Sequence, residues 1–341
     1  MTTESTRAAE LHKRALIVDG LVFSCDTDAV LRQGNVAAVN VTVSDFNADF
    51  EGACDDIAGW LARAADPAGP WHIVETVQDI HAARQANKIG LIMGWQNMRA
   101  IGDRLDRIRF FQRLGIRVMQ LTYNERNFIG DGCLEPADAG LSLFGRRVIT
   151  EMNRCGVAID LSHVGHRSAM DAASLSERPV LLTHANAKAV SDMPRNKHDA
   201  LIKAVAETGG LIGASVYGPM CWDGNPERRP TLEDFYRHLD HIVSLVGIEH
   251  VAFGTDFPAV TDLDTVGSII QMTLDRYPTA ITKYAAAFGN EVRTRYPVDC
   301  GSPAELGKIT ELLVTKGWKE ADILAFLGGN YLRVLDAIWT V

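Results

Sequence analysis

Apolar residues in this chain gather into short, nearly continuous runs, and most of the runs end in a polar, chemically capable side chain. Residues 15–20 form the first run and 36–43 the second. Later runs lead into Gln96, Tyr123, His163 and His184. Residues 210–217 make the seventh, and 250–257, which contains Asp256, the eighth. Unbroken apolar stretches of this length suit parallel strands buried on both faces. Helical patterns separate most of them. In 105–114, Leu105, Ile108, Phe111 and Leu114 share one stripe and Gly115 supplies a stop. Residues 143–155, 168–175, 198–207 and 232–246 have the same amphipathic character.

Strand and helix alternating about eight times predict a closed (β/α)8 barrel, the TIM-barrel class of α/β fold. An open doubly wound sheet is the alternative, but no phosphate-binding glycine fingerprint follows the first strand. The polar residues closing the strands then face one rim, where such barrels carry their active sites, so the chain reads as an enzyme. An insertion is expected at 258–301. After it the chain returns to helix, with Ser302 as N-cap, Pro303 at the first position and Glu305 at the third. A last amphipathic helix is expected over 320–338. No linker or repeat interrupts residues 1–341, which predicts one domain.

Composition narrows the class. The chain has 341 residues, 47% of them hydrophobic, enough for a large core. A net charge of -9 speaks against nucleic acid as a partner, since phosphate binding needs clustered Lys and Arg. The six cysteines form no CxxC pair, so neither a zinc knuckle nor a redox dithiol is expected. Residues 1–16 lack the apolar core of a signal peptide. No run approaches the ~18 apolar residues that span a bilayer. A soluble, cytoplasmic protein that does not engage a membrane is the expectation.

Several segments resemble the renal or membrane dipeptidases (peptidase family M19), a metallopeptidase branch of the amidohydrolase superfamily. They are Leu114-Gly115-Ile116-Arg117, Leu121-Thr122-Tyr123-Asn124, Asp160-Leu161-Ser162-His163-Val164, Thr183-His184, Pro194-Arg195-Asn196, Phe253-Gly254-Thr255-Asp256-Phe257 and residues 328–335. The similarity runs from about Ile17 to the end. It implies a barrel holding two zinc ions. One ion takes a His-x-Asp motif ending the first strand and an aspartate ending the eighth. A glutamate ending the third strand bridges to the other ion, which two further histidines bind. At those positions this chain has Asp19-Gly20-Leu21-Val22-Phe23, without the His-x-Asp pair, and Gln96 in place of the glutamate. His163, His184 and Asp256 remain. Arg195 lies in the segment where the family binds its substrate's carboxylate, and Tyr123 where it places a substrate-contacting histidine. The resemblance also makes a homodimer the expected assembly.

Side-chain chemistry sharpens these expectations. Leu21 and Phe23 cannot coordinate a metal, and Gln96 offers only a neutral oxygen, so the first ion is expected to be missing. His163 and His184 then hold one zinc ion or none, with Gln96, Asp256 or water completing the shell. Asp256 in a desolvated mouth is a candidate general base or acid. Arg195 is a candidate grip for a substrate carboxylate, a surface salt bridge with Asp192 or Asp199 being the alternative. Tyr123 is a candidate donor to an oxyanion. Gln96 and Asn124 are further candidate substrate contacts, with Asn40 and Asn127 beside other strand ends. His166 is expected on a solvated loop. Leu21, Phe23, Trp95 and Trp222 are expected to make the mouth apolar, suited to a bulkier, less polar small molecule than a dipeptide, such as one with an aromatic ring. Three functions fit: a single-metal hydrolase cleaving an amide in a small carboxylate-bearing substrate, a metal-independent lyase or isomerase in which Asp256, His163 and His184 move protons, and a catalytically silent binding protein.

Overall fold

The computed structural model describes residues 4–277 and 281–340. Residues 1–3 and 341, and 278–280 within the expected insertion, lie outside the described residues. The strands are β1 (Ile17–Cys25), β2 (Val36–Thr42), β3 (Trp71–Ile73), β4 (Ile89–Trp95), β5 (Ile116–Gln120), β6 (Ala158–Asp160), β7 (Leu181–Leu182), β8 (Leu211–Ala214), β9 (Val251–Phe253) and β10 (Phe257–Ala259). All pair in parallel, in the order β10-β1-β2-β4-β5-β6-β7-β8-β9, with β3 an extra strand on β4. β9 and β10 are two halves of the expected eighth strand. The first half pairs with β8 and the second with β1, so one broken strand closes the cylinder. The break falls at Asp256, whose φ is +59°.

Burial explains why the cylinder holds. Val18, Ala38, Ile92, Val118, Ala158, Leu181, Leu211 and Ala252, one from each stave, form a cluster with Tyr331, Val334, Leu335 and Ile338 of the helix Asn330–Trp339. The C-terminal helix thus stoppers one end of the barrel. A larger cluster fills the layer between the strands and the surrounding helices.

The helices Leu143–Cys155 and Leu232–Val246 match the expected spans, and Gly115, with φ +102°, follows the helix Asp106–Arg113 as its stop. β3 and the helices Glu4–Arg14, Phe50–Ala64 and Val77–Gln85 were not expected. Two departures have clear causes. The Ser302 side chain caps nothing: the segment opens as a 3-10 turn, Pro303–Glu305, and the Glu305 carboxylate accepts instead from the Gly301 N–H (2.8 Å). The helix expected over 320–338 is interrupted by a wide turn, Ala325–Gly329. There the backbone passes Leu16 so closely that a Cβ on Gly328 would lie 2.0 Å from the Leu16 carbonyl oxygen. Beyond β10, the insertion forms the helices Leu263–Arg276 and Thr282–Phe288 and the 3-10 turn Val292–Arg295.

Candidate active site

A cavity of about 390 Å³ opens at the carboxyl ends of the strands, lined by Gln96, Tyr123, Asn124, His163, Arg195 and Asp256 together with apolar residues. His184 lies directly behind, fully buried. The predicted residues therefore come together, and the strand alternation is the reason. Successive side chains point to opposite faces, so in β4 Trp95 turns outward onto Phe111 (ring centroids 4.6 Å) while Gln96 turns in. This corrects the expected mouth. Trp95 is buried in the outer layer, Leu21 is buried away from the cavity, and Trp222 packs against Tyr284 and Phe288. Of those four residues only Phe23 lines the cavity. Its apolar wall comes instead from Phe46, Trp60, Tyr296 and, on the insertion, Ile269, Ile270, Leu274 and Tyr277.

The two histidines are held by a chain of hydrogen bonds. Asn124 Oδ1 accepts from His163 Nδ1 (2.8 Å). The Thr183 hydroxyl donates to Asp160 Oδ2 (2.6 Å), so it accepts from His184 Nδ1 (2.8 Å). Both rings then turn an Nε2 lone pair toward the Gln96 amide nitrogen, at 3.4 Å from His163 and 3.3 Å from His184. The Gln96 oxygen accepts from the Thr42 hydroxyl (3.2 Å). Burial, then the cations Arg195 and Lys197, hold both imidazoles well below their ordinary pKa, so both are neutral. Tyr123 stacks on His163 (4.2 Å) with Phe46 also stacked on it (4.3 Å), and burial pushes its phenol up.

The same bracing recurs at Asp256. Asp19 accepts from the Thr255 N–H (2.9 Å) and hydroxyl (2.6 Å), as Asp160 accepts from the Thr183 N–H (3.1 Å) and hydroxyl. Each threonine immediately precedes a site residue, and each carboxylate fixes the strand end that presents it. Among the described residues nothing hydrogen-bonds the Asp256 carboxylate itself. Burial pushes it up to about 7, with Arg195 opposing the shift and Asp19 adding to it. Arg195, 8% exposed, donates to the carbonyls of Ser162 and His184 (3.4 Å to the latter). The alternative salt bridge does not form: Asp192 pairs with Lys188 and Asp199 with His241.

The remaining candidates are structural. Asn40 donates to the Gly20 carbonyl and Asn127 to Asn97 and Leu121. Cys25 and Asp26 stand at the end of β1, where they could partly replace its lost metal ligands, but Asp26 accepts from the Thr261 N–H and hydroxyl, and the Cys25 thiol, on the cavity wall, has its pKa pushed up to about 12 by burial. His166 is exposed but opens a helix, against His198, rather than lying on a loop. Sequence reasoning missed Thr42, the Asp19–Thr255 and Asp160–Thr183 braces, and Tyr217, Tyr296 and Arg295 of the wall. The one available signal was threonine directly before both His184 and Asp256.

For a metal ion, the donor set is thin. Among the described residues no three His, Cys, Asp or Glu side chains lie close enough together to hold one. Two ions do not fit, because β1 brings no donor from Leu21 or Phe23. The donors that a single ion would take are the two imidazole Nε2 atoms, with the Gln96 oxygen joining them only if the amide turned over to exchange oxygen and nitrogen.

A sequence profile described as membrane dipeptidase (peptidase family M19) matches residues 56–275. The chain belongs to the membrane dipeptidase family. An uncharacterized dipeptidase of Schizosaccharomyces pombe is 27% identical over 265 residues, 76% of this chain and 60% of that protein. The dipeptidase tcpJ of Claviceps purpurea is 31% identical over 181 residues, 52% of this chain and 42% of that protein. The chain thus spans about half the length of these curated relatives. A crystal structure of an amidohydrolase from Pseudomonas aeruginosa superposes with a TM-score of 0.84 at 27% identity, covering 98% of this chain and 99% of that one. The probable dipeptidase PvdM from the same organism gives 0.81 at 18% identity over 98% of both chains, a likeness of fold. Family membership agrees with the barrel. Among the described residues no helix is long and apolar enough to cross a membrane.

Proposed function

We propose that this member of the membrane dipeptidase family is a dipeptidase-like hydrolase that cleaves an amide bond in a small molecule bearing a carboxylate. The carrying observation is Arg195, a buried cation with no carboxylate partner among the described residues, lining the same cavity as Asp256 and His163. A guanidinium there binds a substrate carboxylate and fixes the amide above Asp256. Asp256, once ionised, takes a proton from the attacking water and returns it to the leaving nitrogen. The Tyr123 hydroxyl donates to the oxygen on which negative charge develops. His163 and His184 would hold a single ion, which when bound supplies Lewis-acid polarisation. The aromatic wall favours acyl groups larger than those of simple dipeptides.

A second reading, a metal-independent lyase or isomerase, is favoured by one observation: the two N–H groups of Gln96 already satisfy both imidazole lone pairs. Elemental analysis of purified protein, combined with amide hydrolysis assays before and after chelation, separates the two. About one zinc per chain and chelator-sensitive release of free amino acid supports the hydrolase. Metal-free protein that turns over a carboxylic acid without amide cleavage supports the alternative.

A further inference from the structure

The cavity holds a second guanidinium that the proposed reaction does not use. Arg295 ends the 3-10 turn of the insertion, is 0% exposed, and lines the same cavity as Arg195. Its hydrogen bonds are few and long, to the Tyr217 hydroxyl and to Asn290 Oδ1, both at 3.4 Å. Its Nε, buried, has no partner. No carboxylate pairs with it among the described residues. Of the acidic residues of the cavity wall, Asp56 accepts from the Ser44 hydroxyl (2.9 Å) and Asp45 from the Asn47 N–H (2.7 Å), while the charge on Asp256 is opposed by Arg195 and no ion pair joins it to Arg295. The third cation, Arg63, lies over the Trp60 ring.

A buried charge left this poorly satisfied is costly, and a complementary anion removes the cost. The Tyr217 hydroxyl accepts from Arg295 (3.4 Å) and lines the same cavity as Arg195 and Asp256, which places it between the second guanidinium and the substrate space. We propose that Arg295 and the Tyr217 hydroxyl form a second anion subsite, and that the substrate is a dianion whose acyl portion carries a carboxylate besides the one Arg195 binds. This rests on the hydrolase reading and names its substrate class.

The test compares N-succinylalanine with N-butanoylalanine, both enantiomers of each, which differ chiefly in a terminal carboxylate on the acyl chain. Alanine release by the wild-type enzyme is expected to show kcat/KM at least about tenfold higher for the succinyl compound, the scale of one charge-assisted hydrogen-bond pair. In R295Q that ratio should collapse toward one. In R195Q both substrates should weaken together with the ratio kept. A wild-type ratio near one, or a ratio unchanged in folded R295Q, overturns the subsite. Should neither compound release alanine, the hydrolase reading fails, and calorimetric affinities for the same four compounds decide the subsite by the same ratio. If R295Q does not fold, as judged by its melting curve, R295K and Y217F carry the comparison: the ratio should survive in the first and fall in the second.

Discussion

Asp256 combines two costs that a purely structural aspartate would avoid. Its backbone occupies the left-handed region, where L-residues are strained by about 1 kcal/mol, and its carboxyl is pushed up to about 7 by burial. Both are marks of a working residue. D256N is expected to lower kcat/KM by about 10²- to 10⁴-fold. In the wild type, kcat/KM should rise with pH through about 7 as the carboxylate ionises, a limb that D256N lacks. The same shift makes a stability prediction. The folded state keeps a proton that the unfolded chain releases near pH 4, so stability should fall as pH rises from about 4 to about 7. Asp19, also raised to about 7 by burial, contributes in the same direction. Melting curves across that window should show a smaller fall for D256N than for the wild type. Much of this was legible beforehand, because a polar residue closing an apolar run has one place to go in a barrel. Trp95 was misplaced by a single step of alternation. Arg295 and Tyr296 were invisible, because nothing local says where an insertion folds back.

At the scale of elements, the strand ends are too short to hold themselves. β6 and β7 are three and two residues long, yet they carry the histidines. The Asp160–Thr183 brace makes up for this, and Asp19–Thr255 does the same across the closing seam. T183V removes a hydroxyl that serves Asp160 and His184 together and leaves a buried carboxylate oxygen short of a donor. The expected loss is about 1–3 kcal/mol, read by denaturant titration. Such braces cannot be seen from periodicity, since their partners lie 23 and 236 residues apart in the chain. The helix Leu263–Arg276 roofs the cavity and is fastened by Arg276 to both Glu125 oxygens (2.6 and 3.0 Å) and to Asn47 (2.7 Å).

For the molecule as a whole, closure depends on close approach inside the cylinder. A Cβ on Gly254 would lie 1.8 Å from the Thr183 carbonyl oxygen, a backbone atom that cannot move aside without moving a strand. G254A should cost about 3 kcal/mol or more, seen as a melting temperature lowered by several degrees or as loss of soluble protein. The alternation of eight strands and helices was readable because each stave repeats the same pattern. The closing strand's division into β9 and β10 was not, since it follows from the turn at Asp256. Among the described residues, the stopper formed by Tyr331, Val334, Leu335 and Ile338 closes one end of the barrel and leaves the cavity at the other, beneath the Arg276-fastened roof. Traffic through a blind chamber is sequential: the fragment seated deepest departs last, and until it has gone the next molecule must wait outside.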